Sequence, residues 1–298
     1  MRQKFRATKF KPDSQLRIEQ CNDIIDQYLA QGLKLTLRQL YYQLVTKNII
    51  KNEEKSYKNL SGLVSDGRLS GLIDWDAIED RVRAPKAPPE FNNLGDLVDA
   101  ALASYRLPRW EGQENYVELW VEKDALAGVL WPIAREYHVT LMVNRGYSSQ
   151  SAMYESSTRF ILNTRGDTAH LPYPKSPIIL YLGDHDPSGE DMVRDVADRL
   201  SMFSVDVDVR KIALTISQVQ SYNLPPNPTK ITDSRAADYI KKFGPECWEV
   251  DALPPNVLSK LIRDELKQVV NMKMMKAVIA REEEDKTALK EAVQELER

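Results

Sequence analysis

Three acidic side chains follow two apolar runs of the sequence, and their types and spacing suit a divalent metal ion. Asp184 and Asp186 lie two residues apart, directly after the apolar run of residues 178–182. Glu122 ends a second apolar run that starts at Tyr116. Carboxylates held close together repel one another unless a cation lies between them, and all-oxygen ligation suits Mg²⁺. The sequence therefore predicts a magnesium site formed by Glu122, Asp184 and Asp186.

The acidic turn at residues 184–189 permits two other interpretations. Its Asp-x-Asp-x-Ser-Gly order matches the opening of an EF-hand calcium loop. That motif is flanked by helices and has glutamate at its twelfth position, whereas here an apolar strand precedes the turn and the twelfth position is Asp195. A solvated acidic turn without a ligand remains open.

The segments around these carboxylates have the pattern of a parallel α/β sheet. Apolar runs at residues 139–143 and 205–214 also predict strands, and helical patterns separate the strands along the chain. Because strands and helices alternate, the predicted fold class is α/β with a mostly parallel sheet. Such sheets bind ligands in loops at the carboxyl ends of their strands, which is where the three carboxylates fall.

Charge is distributed unevenly along the chain of 298 residues. The net charge is −3, but residues 1–72 contain 13 Lys and Arg against 7 Asp and Glu. A basic front part joined to an acidic remainder is typical of enzymes that process DNA. No apolar run reaches the roughly 18 residues of a membrane span, and the N-terminus has no signal-peptide core. Cys21 and Cys247 lack metal-ligand spacing, so we expect reduced thiols in a cytoplasmic protein.

Residues 1–83 carry the pattern of a small DNA-binding module. Three short helices are predicted, the first capped by Asp13 or Ser14, the second by Thr36 and the third starting near Asn52. A compact apolar stretch at residues 72–75 follows, as in a winged-helix module. The third helix would then enter the DNA groove. The side chains expected to face the DNA are Lys55, Lys58 and Arg68. A three-helix module without a DNA role stays open.

The rest of the chain divides into a connecting part and an α/β part. Residues 84–115 begin with a proline-rich linker and continue as a helix, and residues 116–298 form the predicted α/β domain with C-terminal helices. Within that domain, the loop at residues 144–149 opens a helix. Backbone amides near Gly146 and Ser148 could contact a DNA phosphate there, although an ordinary β-to-α turn would look the same.

The combination of Glu122 with Asp184 and Asp186 resembles the Toprim domain shared by topoisomerases, primases and some nucleases. Upstream of it, Arg38 and Tyr42 lie four residues apart and so share one helix face. This Arg-x-Leu-Tyr-Tyr block ahead of a Toprim domain resembles the topoisomerase VI A subunit and the related meiotic double-strand-break transesterase. The resemblance covers roughly residues 30–255.

The resemblance implies Mg²⁺-dependent cleavage of double-stranded DNA through a 5′-phosphotyrosyl bond. Tyr42 would be the nucleophile, with Arg38 and Glu122 as further catalytic residues, and a homodimer would pair the tyrosine of one subunit with the metal site of the other. Strand passage would require a separate ATPase subunit. Tyr41 falls on the apolar stripe of its helix and Tyr42 falls off it, so the pattern predicts a buried Tyr41 and an exposed Tyr42.

Two alternatives remain beside tyrosine transesterification. In the first, the protein is a Toprim nuclease in which water attacks the phosphate and the winged helix only holds the DNA. In the second, it binds DNA and metal as an adaptor without turnover. Gln39 stands where the resembled family often has an acidic residue, which leaves the choice among the three open.

Overall fold

The computed structural model describes residues 1–78, 88–144, 146–166, 173–229 and 233–296, with side chains to residue 293. It begins with three packed helices, which are α1 (Pro12–Leu29), α2 (Leu37–Thr46) and α3 (Glu54–Leu69). Helix α2 starts where the sequence predicts, because Thr36 caps it and the Gln39 side chain accepts the Thr36 backbone N–H at 2.9 Å. Gln39 therefore completes a capping box.

Short backbone bridges complete the N-terminal helical module. Lys4 pairs with Ser70, and Leu35 pairs with Ile78. The predicted three helices are confirmed, whereas the winged-helix arrangement stays a prediction. Helix α4 (Leu94–Ser104) comes next, as expected for the connecting part. Most of the proline-rich linker, residues 84–87, lies outside the described residues.

The main sheet has four parallel strands, as the alternation of strands and helices predicts. They are β1 (Asn115–Val121), β2 (Thr140–Val143), β3 (Ser176–Leu182) and β4 (Asp208–Ala213), in the spatial order β2-β1-β3-β4. The helices between them are α5 (Ala127–Tyr137), α6 (Gln150–Thr164) and α7 (Pro187–Ser201). The mixed α/β class is therefore confirmed.

Alternate side chains of the central strands enter two different apolar layers. Leu119 and Leu180 pack into the core beneath α5, whereas Trp120 and Tyr181 pack beneath α6 and α7. Each of these four side chains is essentially inaccessible to solvent. Burial on both faces explains why the strand sequences are continuously apolar rather than alternating.

The described residues of the C-terminal third add four α-helices and two short strands. In chain order they are α8 (Ile216–Ser221), β5 (Asn227–Pro228), α9 (Ala236–Phe243), β6 (Glu246–Cys247), α10 (Pro255–Val269) and α11 (Met272–Leu296). Helix α11 is anchored by Glu282, which is fully buried and accepts hydrogen bonds from Arg109 at 3.0 Å and Lys286 at 2.9 Å.

Candidate functional site

The site lies where the strand order of the sheet reverses. From β1 the chain crosses to β2 on one side, and from β3 it crosses to β4 on the other, so β1 and β3 are neighbours. Ligands of open α/β sheets bind outside the carboxyl ends of the strands at this switch point. Glu122 follows β1 directly, and Asp184 follows β3 by two residues. The Glu122 Oε2 atom accepts the Asp184 backbone N–H at 3.1 Å, so the two predicted strand ends do meet.

Asp184 and Asp186 are both held by hydrogen bonds within the chain. Asp184 Oδ1 accepts the Val250 backbone N–H at 2.9 Å, and its Oδ2 lies 2.8 Å from the Lys123 Nζ atom. Asp186 instead caps α7, because its Oδ1 accepts the Gly189 backbone N–H at 2.6 Å. The carboxylates therefore lie in one region, with different partners.

Burial makes the charged forms of Glu122 and Asp184 unfavourable. Burial raises the pKa of Glu122, and the negative charge of Asp186 raises it further, although the Asp184 N–H acts in the opposite direction. Burial also raises the pKa of Asp184, despite the nearby Lys123 ammonium. A divalent cation would offset this free-energy penalty, so the donor chemistry fits Mg²⁺.

The arrangement of the carboxylates fits a metal ion less well than their chemistry does. Within the described parts of the chain, no three His, Cys, Asp or Glu side chains are grouped so that they could hold one ion. The Lys123 ammonium supplies positive charge to this region instead. Burial opposes its charge, but Asp251, Asp184 and Glu249 outweigh burial and raise the pKa of Lys123. Binding of Mg²⁺ by all three predicted ligands therefore requires these side chains to rearrange.

Tyr42 lies in the interior, which contradicts the expectation of an exposed side chain. Its side chain is only 4% exposed, and Tyr41 beside it is buried as predicted. The apolar stripe of helix α2 predicted the wrong exposure for Tyr42, because Val250–Ala252 of the C-terminal part also pack on this helix. Burial raises the pKa of the Tyr42 phenol, and Glu249 raises it further, while Arg38 and Asn227 act in the opposite direction.

Arg38 connects α2, the helix that carries Tyr42, to the carboxyl end of the sheet. Its guanidinium carbon lies 5.9 Å from the centre of the Tyr42 ring, so the predicted shared face exists. The Arg38 Nε atom donates to Glu249 Oε2 at 3.0 Å and lies 3.2 Å from Asp251 Oδ2. Burial lowers the pKa of Arg38, but these two carboxylates outweigh burial and raise it. Arg38 is thus held as a cation.

Arg38 and the strand ends border a common cleft of about 340 Å³. The residues that line it come from α2, the end of β1, the loop after β2 and the turn after β6; they are Arg38, Glu122, Lys123, Asp124, Ala125, Gly146 and Asp251. The sequence did not predict Glu249 or Asp251 as part of this site. Their acid-x-acid spacing repeats that of Asp184 and Asp186 and was the one local signal that pointed to them.

The predicted DNA-contacting side chains of α3 do not share one environment. Lys55 is exposed, and Lys58 is exposed with an ion pair to Glu54 at 2.6 Å. The Arg68 side chain turns inward, donates to the Trp75 carbonyl oxygen at 2.7 Å and stacks on the Trp75 ring. The expectation that Arg68 is exposed is therefore wrong, because the loop after α3 folds back over it.

The loop at residues 144–149 borders the cleft through Gly146, which has a φ of +89°. Ser149 caps α6 by accepting the Ala152 N–H at 3.1 Å. Ser148 is buried, and its hydroxyl has no hydrogen-bond partner in the described parts of the chain; the same is true of the Asn144 amide. Arg145 lies outside the described residues. Contact of Gly146 and Ser148 with a phosphate stays a prediction.

No protein-family model matches this chain, and a search of the curated proteins gives no match either.

The two cysteines are free thiols, with Cys21 buried and Cys247 half-buried. Among the described helices, none combines the length and apolar character that crossing a membrane requires.

Proposed function

We propose that this protein cleaves double-stranded DNA by Mg²⁺-dependent tyrosine transesterification, as a homodimer with Tyr42 as its nucleophile. One observation carries the proposal. Arg38, on the same helix as Tyr42, reaches carboxylates at the carboxyl end of the sheet, where Glu122, Lys123 and Asp184 also lie. A phenol, two cations and several carboxylates in one region are the groups that phosphoryl transfer to tyrosine needs.

Each side chain has a defined role in the proposed reaction. The Tyr42 oxygen attacks phosphorus, the phenol loses its proton, the bond from phosphorus to the 3′-oxygen breaks, and that oxygen takes up a proton. Arg38 stabilises the phenolate and the charge on the phosphate oxygens. Glu122, Asp184 and Asp186 would hold Mg²⁺, which when bound neutralises charge on the scissile phosphate.

The burial of Tyr42 sets a condition on this reaction. A phenol with a raised pKa is a weak nucleophile, so DNA binding must expose Tyr42 or place a base beside it. The same burial supports the second candidate, a nuclease in which water attacks and Tyr42 only packs.

One experiment separates these three functions. Supercoiled DNA is incubated with the protein and Mg²⁺, and protein that stays attached to DNA after denaturation is quantified. We expect attachment by the wild-type protein and by Tyr41→Phe, and none by Tyr42→Phe. Tyr41→Phe is a matched control, since it removes the neighbouring hydroxyl from the same helix. Its loss of the 3.0 Å contact with Asn52 should cost about 1 kcal/mol of stability.

The other outcomes identify the alternatives. Free DNA ends made equally by wild-type protein and Tyr42→Phe would refute tyrosine attack and support the water nuclease. Binding without any cleavage would refute both enzymes and leave the adaptor. Addition of a separate ATPase subunit would matter only for strand passage and is not needed for attachment.

A mixed-variant experiment tests which subunit supplies the tyrosine. Tyr42→Phe and Asp184→Asn would each be inactive as homodimers. If Tyr42 serves the metal site of the other subunit, mixed dimers recover one complete site and attachment returns. If Tyr42 serves the carboxylates of its own chain, on which α2 packs, mixing restores nothing. Recovery is the result that the homodimer proposal expects.

A further inference from the structure

Glu249 is the acceptor shared by two cations of the cleft. Its Oε2 atom accepts hydrogen bonds from Arg38 and, at 2.8 Å, from the Lys123 Nζ atom. Arg38 belongs to α2, and Lys123 follows β1. The two residues are 85 positions apart in the sequence, so Glu249 joins parts of the chain that no local pattern connects.

The backbone around Glu249 is fixed by hydrogen bonds to the Asp184 turn. The Trp248 and His185 backbones exchange two hydrogen bonds, of 2.8 and 2.9 Å. On the other side, the Val250 N–H donates to Asp184 Oδ1 at 2.9 Å. Glu249 is therefore held on both sides against the turn that carries the predicted metal ligands. A carboxylate on such a rigid backbone can fix the position of a flexible partner.

Arg38 is a partner that needs such fixing. Its side chain is 44% exposed, and an arginine has about 2 kcal/mol of rotamer entropy to lose before it adopts one position. The single Glu249 Oε2 atom accepts from both Nε and Nη2, so one edge of the guanidinium is held at that oxygen. Asp251 adds negative charge beside the same cations, with its Oδ2 atom 3.2 Å from Arg38 Nε and its Oδ1 atom 4.0 Å from Lys123 Nζ.

We propose that Glu249 is a positioning residue, which holds Arg38 beside Tyr42 so that the guanidinium meets the scissile phosphate in a fixed geometry. This inference rests on the proposed function. Glu249 touches neither the phosphate nor the reacting oxygen in this role, and it acts through Arg38.

The test compares Glu249→Gln with the wild-type protein in the rate of covalent attachment at saturating DNA. The variant keeps the side-chain size and removes the charge. We expect the rate to fall between about tenfold and a hundredfold, because a reacting group misplaced by about 1 Å can lose that much. DNA affinity should change by less than about twofold, since Lys55 and Lys58 are untouched. Glu246→Gln, three residues earlier and exposed, is the matched control and should keep the wild-type rate.

A second comparison separates positioning from a purely structural effect. In an Arg38→Ala background, Glu249→Gln should lower the rate of attachment further by no more than about twofold, because Glu249 acts through Arg38. Two residues that act independently would instead show additive free-energy losses. Full multiplication of the two losses, or an unchanged rate in Glu249→Gln, would overturn the inference. Should Glu249→Gln fail to fold, Glu249→Asp keeps the charge one methylene shorter, and a full rate in that variant would overturn it equally. Absence of attachment in the wild-type protein would instead refute the proposed function itself.

Discussion

The ion pairs of Glu249 make a quantitative prediction about acid stability. Burial alone would raise the pKa of Glu249, but Lys123 and Arg38 outweigh burial and lower it to about 2. A carboxyl with a depressed pKa stabilises the folded state above its unfolded pKa, and this contribution is lost as pH falls through the folded value. The contribution should therefore be complete at neutral pH and decline below about pH 4.5.

The size of the effect follows from the pKa difference. From the ordinary pKa of 4.5 to about 2, at about 1.4 kcal/mol per unit, the ionised Glu249 contributes about 3 kcal/mol at pH 7. Linkage places about 2 kcal/mol of this loss between pH 7 and pH 3. The Glu249 side chain is 22% exposed, so solvent screens the interaction only weakly.

The assay is urea unfolding of wild-type protein and Glu249→Gln at several pH values from 7 to 3. The quantity to compare is the difference in the free energy of unfolding between the two proteins, which cancels the titration of all other groups. We expect this difference to shrink by about 2 kcal/mol over that range. A difference that stays constant with pH would refute the assignment of Lys123 and Arg38 as partners of an ionised Glu249.

Three further predictions concern packing and metal binding. Gly189→Ala should destabilise the protein by several kcal/mol, because its Cβ would clash with the Asp184 carbonyl oxygen, whereas Gly62→Ala meets open space and should gain up to about 1 kcal/mol in urea unfolding. Arg159→Met should lower the free energy of unfolding by about 3–5 kcal/mol, since it leaves the fully buried Glu118 carboxylate without the guanidinium that pairs with it. A loss below about 1 kcal/mol would contradict this. Mg²⁺ should raise the melting temperature of wild-type protein and leave that of Asp184→Asn unchanged, and equal shifts would contradict metal binding at Asp184.

The features that sequence reasoning predicted correctly depend on local patterns. The apolar runs of β1 and β3 are continuous because both faces of these strands are buried. The acidic residues that follow these runs mark where the two strands end. The start of α2 followed from Thr36, whose capping geometry involves residues within one turn. The proximity of Glu122 and Asp184 could be predicted from the sequence, because neighbouring parallel strands have their carboxyl ends at one edge of a sheet.

The features that sequence reasoning missed depend on contacts between distant residues. Tyr42 is buried because Val250–Ala252 pack on its helix, and helical periodicity does not record a contact with residues so far along the chain. Arg68 turns inward because the loop at Trp75 accepts its hydrogen bond. Glu249 enters the site because the backbone beside it pairs with the His185 turn, 64 residues earlier. Each depends on tertiary packing that a linear pattern does not record.

The most direct measurement is the identity of the residue that carries DNA after cleavage. The protein is incubated with DNA and Mg²⁺, both are digested, and the peptide that bears a nucleotide is sequenced by mass spectrometry. We expect a single adduct, a 5′-nucleotide on the Tyr42 oxygen. An adduct on another residue, or cleaved DNA with no adduct at all, would contradict it.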